Sequence, residues 1–139
     1  MTAATNKARY GEFIQAIFNE ARFDRLGDFL APSYAIQEAP PGTAPGGEGV
    51  RQVVTMFRTA FPDMTITLDE VIAEGDTVAA LSTLRGTHRG EFMGVAPTGR
   101  AVSVTSLTMV QLEDGLLTKS WVKNDVAGLL RQLGAGSQA

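Results

Sequence analysis

The stretch that most constrains this chain runs from Met64 to Asn124, where four strand-like segments follow one another. TITLDEVIAE alternates apolar and polar residues and ends at a Gly-Asp pair, GDTVAALSTLRGTH follows, AVSVTSLTMVQLEDG is rich in Val and Thr, and LLTKSWVKN comes after Glu-Asp-Gly. β-Branched residues at a period of two suit a pleated surface, and Gly-Asp and Asp-Gly pairs suit tight hairpins. The segment predicts long antiparallel strands joined by hairpins. Such a sheet has an apolar face that another part of the chain must cover.

The cover is legible upstream. From Thr5 to about Ala21, the residues Tyr10, Phe13, Ile14, Ile17, Phe18 and Ala21 recur at three- and four-residue spacing, which predicts one long amphipathic helix. Phe23, Leu26, Phe29 and Leu30 continue that period to Ala31-Pro32, where proline disfavours helix for the residue before it, so a short second helix ends there. Residues 33–38 read as a brief strand and APPGTAPGGEG, with three Pro and four Gly, as a rim loop. A third helix covers roughly 48–61, with Val50, Val53, Val54, Phe57 and Phe61 on one face and Pro62 as the stop. A last helix, about 126–133, carries Leu129, Leu130 and Leu133, with Gly134 as its cap and a flexible GSQA tail. No repeat or linker is visible, so residues 1–139 read as one domain with an ordered core of about 5–134. The order is α+β: a curved antiparallel sheet around N-terminal helices, a cone whose open end is a ligand pocket.

Composition narrows the chemistry. Zero Cys and one His remove disulfides, thiol nucleophiles, iron–sulfur ligation and the common zinc sets. Twelve Lys+Arg against fifteen Asp+Glu give a net charge of −3 without a basic stripe, which argues against nucleic acid. No apolar run reaches the roughly 20 residues of a membrane helix, and the N-terminus lacks the apolar centre of a secretory signal, so a soluble cytoplasmic protein is expected. No phosphate-binding glycine fingerprint occurs. Acid–base chemistry, chemistry driven by the substrate, or binding alone remain.

GTHRGEFMGVAPTGRAVSV at 86–104, LEDG at 112–115, Trp121, Asp125 and GLLRQLG at 128–134 resemble the SnoaL-like polyketide cyclase family, with YAIQEAP at 34–40 and the first helix extending the likeness over nearly the whole chain. The resemblance implies the cone-shaped α+β barrel also seen in ketosteroid isomerases and nuclear transport factor 2. Aldol-cyclase members carry His-Arg-Asp, whose Asp is the acid/base, at the positions of Ser120, Trp121 and Val122, Gln and His at Ser106 and Thr108, and Asn near Ile36. None of these is retained. Loss of a general acid/base costs a factor of roughly 100 to 10,000 in rate. The resemblance is then closer to the cofactor-independent anthracycline hydroxylases, which implies an aromatic polyketide substrate, molecular oxygen and a separate reductase as partners, no bound cofactor or metal, and a homodimer or homotetramer.

Each candidate residue has a plain alternative. Asp125 is the first candidate acid/base, against capping of the last helix; His88 is the second, against a structural hydrogen bond near a turn. Trp121 is either a stacking wall for a flat ring system or core. Ser106, Thr108, Ser120 and Asn124 share the parity that faces the pocket in the cyclases and would bind hydroxyls or carbonyls. Lys123 shares the parity of Lys119 and Trp121 and would stabilise a phenolate, against a solvated face. Gln37 sits in the early strand with Tyr34 just before it, and both are expected to reach toward the pocket. Met56, Met64, Met93 and Met109, with Phe57, Phe61 and Phe92, read as core. The function expected is cofactor-free hydroxylation of a polycyclic polyketide; the alternatives are acid–base cyclisation or isomerisation and a non-catalytic binding or dimerisation module.

Overall fold

The computed structural model describes residues 2–134. The first helix, α1 (Ala3–Phe13), starts at Thr2, whose hydroxyl accepts from the Thr5 N–H at 3.0 Å. The helix expected to reach Ala21 changes pitch on the way: Ile14–Asn19 is a π-helix, closed by Glu20 N–H donating to the Gln15 carbonyl at 3.0 Å. A 3-10 turn (Phe23–Arg25) leads into α2 (Leu26–Phe29), and β1 (Leu30–Ile36) begins three residues before the expected strand. Pro32 is tolerated there because β1 is an edge strand with its ladder interrupted between Leu30 and Ala35. Then come α3 (Gly47–Ala60), β2 (Thr65–Glu74), β3 (Thr77–Thr87), β4 (Ala101–Glu113), β5 (Leu116–Asn124) and α4 (Val126–Gln132). Gly134, at φ +80°, supplies the left-handed stop after α4. The tail expected at 136–139 lies outside the described residues.

The five strands form one sheet in the order β1-β5-β4-β3-β2, antiparallel except for the parallel β1–β5 pair. Asp114 and Gly115 both have positive φ in the β4–β5 turn, the backbone that two-residue hairpins of the right twist demand. Two amide side chains each pair with both backbone groups of one residue on an unpaired stretch of strand. Asn19 at the end of the π-helix donates to the Ile66 carbonyl (3.1 Å) and accepts from its N–H (2.7 Å) on edge strand β2. Gln132 does the same for Ser103 (2.8 and 2.9 Å) where β4 outruns β5. Both satisfy groups that would otherwise recruit another strand.

One parity of each strand faces the helices. On β3 and β4 the even residues are inward: Val78, Ala80, Ser82 and Leu84 pair with Val110, Thr108, Ser106 and Val104. On β5 the inward parity changes along the strand. Leu117, fully buried, pairs with Leu112; a bulge at Thr118 then makes Ser120, Val122 and Asn124 the inward residues, opposite Val110, Thr108 and Ser106. One extra residue reverses every side chain after it.

Candidate active site

The core is not continuous. One buried apolar cluster joins Tyr10, Phe13, Ile17, Phe29, Val54, Val78, Ala80 and Val110; the other joins Phe57, Phe61, Phe92, Leu84, Val102, Val104, Leu129 and Leu133. Between them, on the inner face, lies a cross-strand row of Ser82, Ser106 and Asn124, with Thr108 and Val122 in the next row. Ser82 and Ser106 hydroxyls are 3.2 Å apart. Ser82 is buried, Ser106 half-buried and Asn124 exposed; Ala80 is buried, Thr108 half-buried and Val122 40% exposed. Inward-facing residues that become solvent-accessible toward β5 mark where the cone opens.

Two phenols stand behind this wall. Tyr34 on β1 is buried and donates to Ser120 Oγ at 2.9 Å. Donation by Tyr34 leaves the Ser120 hydrogen free to point elsewhere. Burial pushes the Tyr34 phenol above its ordinary range, with the Ser120 bond opposing. Burial pushes Tyr10 on α1 up to about 12, opposed by its contact with the Thr108 side chain and reinforced by the nearby Tyr34. Desolvation disfavours a phenolate, so both rings are protonated donors at neutral pH. The inner wall is therefore neutral and hydroxyl-rich, suited to hydrogen-bonding the oxygens of a flat, mostly apolar ligand.

The structure brings together Ser106, Thr108, Ser120, Asn124 and Tyr34, and separates the other expected residues from them. His88 is fully buried, six residues and roughly 20 Å of strand beyond Ser82. Its Nδ1 accepts from the Thr98 N–H at 3.1 Å, which assigns the proton to Nε2, and Nε2 has no partner among the described residues. The ring sits 5.6 Å from Phe61 in the second cluster and holds the loop after β3; the structure gives this His an anchoring place. Asp125 is exposed and its Oδ1 accepts from the Gly128 N–H at 2.9 Å, the cap of α4. A Cβ at Gly128 would lie 2.2 Å from Asp125 Oδ2, so that glycine makes room for the capping carboxylate.

Trp121 and Lys123 are corrected. Both pair with outer-face residues of β4, Met109 and Leu107, and so lie on the side of the sheet away from the cone. The Thr118 bulge is the reason. Lys123 Nζ is 3.7 Å from Glu38 Oε1, an exposed ion pair. Gln37 is half-buried, but its amide turns back to the Ala35 carbonyl (3.3 Å). Phe57, Phe61, Phe92 and Met64 are core as expected, whereas Met56, Met93 and Met109 are 45%, 62% and 42% exposed. Ser82 and Tyr10 were missed. Ser82 is the one hydroxyl on the inward parity of β3 between Val78 and Leu84, a readable signal; Tyr10 is indistinguishable from its apolar helix stripe.

Two solvent-open depressions lie elsewhere, one of about 590 Å³ that includes Asp63, Arg85 and Ser103, one of about 520 Å³ that includes Asp76, Gln111 and Lys119. Neither contains Ser106, Thr108, Ser120 or Asn124, and neither gathers buried polar groups, so the inner wall is the better site. Among the described residues no group of three or more His, Asp or Glu is placed to hold a metal ion, and no helix is long and apolar enough to cross a membrane.

A five-stranded sheet folded round N-terminal helices, with a polar-floored opening between two apolar clusters, defines a small α+β cone of the kind that encloses a ligand. The chain belongs to the SnoaL-like polyketide cyclase family, whose model matches residues 8–133. It is 32% identical to the aklanonic acid methyl ester cyclase AcmA of Streptomyces galilaeus over 124 residues, 84% of this chain and 83% of that one. Among solved structures it resembles TsrD of Streptomyces laurentii (TM-score 0.86, 32% identity, 97% and 98% of the two chains). It also resembles AclR of Streptomyces galilaeus, proposed to be a hydroxylase (TM-score 0.81, 28% identity, 96% and 83%). The matching family is one of polyketide cyclases and AcmA is named a cyclase, so the chain is an enzyme of that family.

Proposed function

We propose that the protein hydroxylates a polycyclic aromatic polyketide without a cofactor of its own. One observation carries the reading: the inner wall offers neutral donors, with the apolar Val122 among them opposite Thr108, at the position to which the family resemblance assigns the cyclases' acid/base carboxylate. Ser106, Thr108, Ser120 and Asn124 bind and orient the ligand's oxygens, and stabilise negative charge as it gathers on a phenolate or enolate. An electron-rich anion of this kind can itself reduce dioxygen. The balance is substrate C–H plus O₂ plus two electrons and two protons giving C–OH and water. The two electrons come from the hydroquinone form of the ligand, regenerated by a separate reductase. The likeness to AclR supports this reading.

A second reading, intramolecular ring closure, is favoured by AcmA being a cyclase. The same donors would stabilise the enolate oxygen. The wall's hydroxyls, amide and phenols are poor bases at neutral pH, so the carbon-bound proton would have to leave through water at the mouth or the substrate itself.

Mass spectrometry of products from tri- and tetracyclic polyketides, with and without oxygen and with and without a reductant, tests both. An oxygen-dependent gain of one oxygen atom is expected. A product of unchanged mass, formed equally without oxygen, would replace hydroxylation by ring closure. Binding with no product would leave a silent binding module.

A further inference from the structure

The hydroxyls of the inner wall do not stand alone, for each has a second hydroxyl behind it on another element. Ser120 on β5 accepts from Tyr34 on β1 at 2.9 Å, and Ser106 on β4 lies 3.2 Å from Ser82 on β3. The Tyr10 side chain on α1 approaches Thr108 on β4 in the row between them. Tyr10, Tyr34 and Ser82 are all buried. Ser106 and Thr108 are half-buried, and Ser120, itself buried, adjoins the exposed Val122 on the inward side of β5. The wall thus has a front tier at the opening and a back tier sealed inside the fold.

Two hydroxyls that share one hydrogen bond use one hydrogen and leave one over, and the holder of the spare hydrogen decides what the pair can bind. Tyr34 donates its only hydrogen to Ser120, so the spare one is on Ser120. For the serine pair, burial decides. Were Ser106 the donor, the Ser82 hydrogen would lie between Ala80 and Leu84 with no other partner among the described residues, and an unmade buried bond costs about 1–3 kcal/mol. Donation by Ser82 puts the spare hydrogen on Ser106, nearer solvent. Both spare hydrogens therefore belong to the front tier.

No charge stands opposite these donors among the described residues. The inward residues of β2 to β5 and the buried face of α3 are apolar or neutral. Arg9 on α1 turns to the Gly115 and Asp28 carbonyls, Arg58 on α3 to those of Phe18 and Asn19, and Glu38 to Lys123 outside the cone. The titratable groups that face the wall are the phenols of Tyr10 and Tyr34, both protonated donors at neutral pH. An oxyanion can accept from every front-tier hydroxyl at once, whereas a neutral ligand hydroxyl brings a hydrogen of its own. Fixed donors in a partly dehydrated site favour the charged form.

We infer that Tyr34 and Ser82 are positioning residues: they donate into the wall and so hold the Ser120 and Ser106 hydroxyls as donors toward the ligand, which the site takes in preference as its oxyanion, a phenolate or enolate. The inference rests on the reading that a fused-ring polyketide lays its oxygens against this wall, and it holds whichever reaction follows.

Anaerobic titration of 2-hydroxyanthraquinone bound to the full chain tests it. This three-ring phenol has one ionisable proton and a visible band that moves to the red on ionisation. The wild type is expected to bind the anion at least about tenfold more tightly than the neutral phenol, which lowers the apparent pKa of the bound probe by about one unit or more. Tyr34→Phe and Ser82→Ala leave the front-tier hydroxyls in place. Each is expected to reduce the preference at least about threefold while affinity for the neutral phenol stays within about twofold, with circular dichroism as the check on folding. Adding Tyr34→Phe to Ser120→Ala is expected to change the preference no further, because Tyr34 acts through Ser120. A bound probe that ionises as it does in water, or a preference that either single variant leaves intact, would overturn the inference while leaving hydroxylation to its product-mass test. A probe that does not bind, or that binds Ser106→Ala/Thr108→Ala as well as the wild type, would remove the wall as the polyketide site and the inference with it.

Discussion

Asp125 shows how one carboxylate can read as chemistry in a sequence and serve as architecture in a fold. Its Oδ1 holds the Gly128 N–H, and a Cβ at Gly128 would meet the Asp125 carboxylate and displace it from that bond. Asp125→Ala should cost about 0.5–2 kcal/mol in urea unfolding, the usual worth of an N-cap, and leave turnover within about threefold. Gly128→Ala should cost a similar amount, and the double variant less than the sum, because both remove one contact. A loss of turnover above 100-fold in folded Asp125→Ala would return this residue to the chemistry. Tyr10 makes a different residue-level prediction. Its folded pKa, about 12, lies above the ordinary 10.0, so between those values the unfolded chain sheds a proton that the folded chain keeps. Its stabilising contribution is thus complete below pH 10 and lost as pH rises toward 12, on the order of 3 kcal/mol over two pH units. Tyr10→Phe should flatten the fall of unfolding free energy across that window, measured in urea at stepped pH; an unchanged slope would show that the phenol ionises as freely folded as unfolded.

At the level of elements, the helices do more than cover the sheet. The π-helix and α4 each deliver one carboxamide, Asn19 and Gln132, to an unpaired stretch of strand, and each satisfies both backbone groups of one residue. A helix that kept α pitch through Ile14–Asn19 would place residue 19 at a different angle, so the change of pitch and the pairing with Ile66 belong together. Asn19→Ala should cost about 1–3 kcal/mol, because Ile66 is half-buried and its groups lose their partner, and Gln132→Ala about 1 kcal/mol at the exposed Ser103. Hydrogen exchange should localise the effects, with protection falling at least tenfold at the Ile66 amide in the first variant and at Ser103 in the second. Protection lost evenly along the whole of β2 or β4 would instead mean that the strand, and not its edge pairing, depends on the amide.

At the scale of the whole molecule, two apolar clusters flank a hydroxyl-lined seam, which we propose as the binding wall. Ser82→Ala/Ser106→Ala should leave the unfolding free energy unchanged or raise it by up to about 1 kcal/mol, since both partners of a half-buried hydrogen bond go together, while turnover on the polyketide falls at least tenfold. A large loss of stability with intact turnover would make the seam structural. Much of this architecture was legible in the sequence because it is written locally. Periods of two and 3.6, Asp-Gly and Gly-Asp turns, Pro62 as a stop and Gly134 as a cap each act over a few residues, and they fixed the helices, the strands and the α+β order. The family resemblance gave Ser106, Thr108, Ser120 and Asn124 a common parity, and the strand pairing sets them on one face of the sheet. Only the tertiary structure decided what that face looks upon. Leu117 and Trp121 share a parity in LLTKSWVKN, yet the bulge at Thr118 sends the first into the core and the second outside, because strand register is settled by the partner strand. The pairing of Tyr34 with Ser120, 86 positions away, and the distance of His88 from the seam likewise depend on how the sheet curls around the helices, which no short-range pattern encodes.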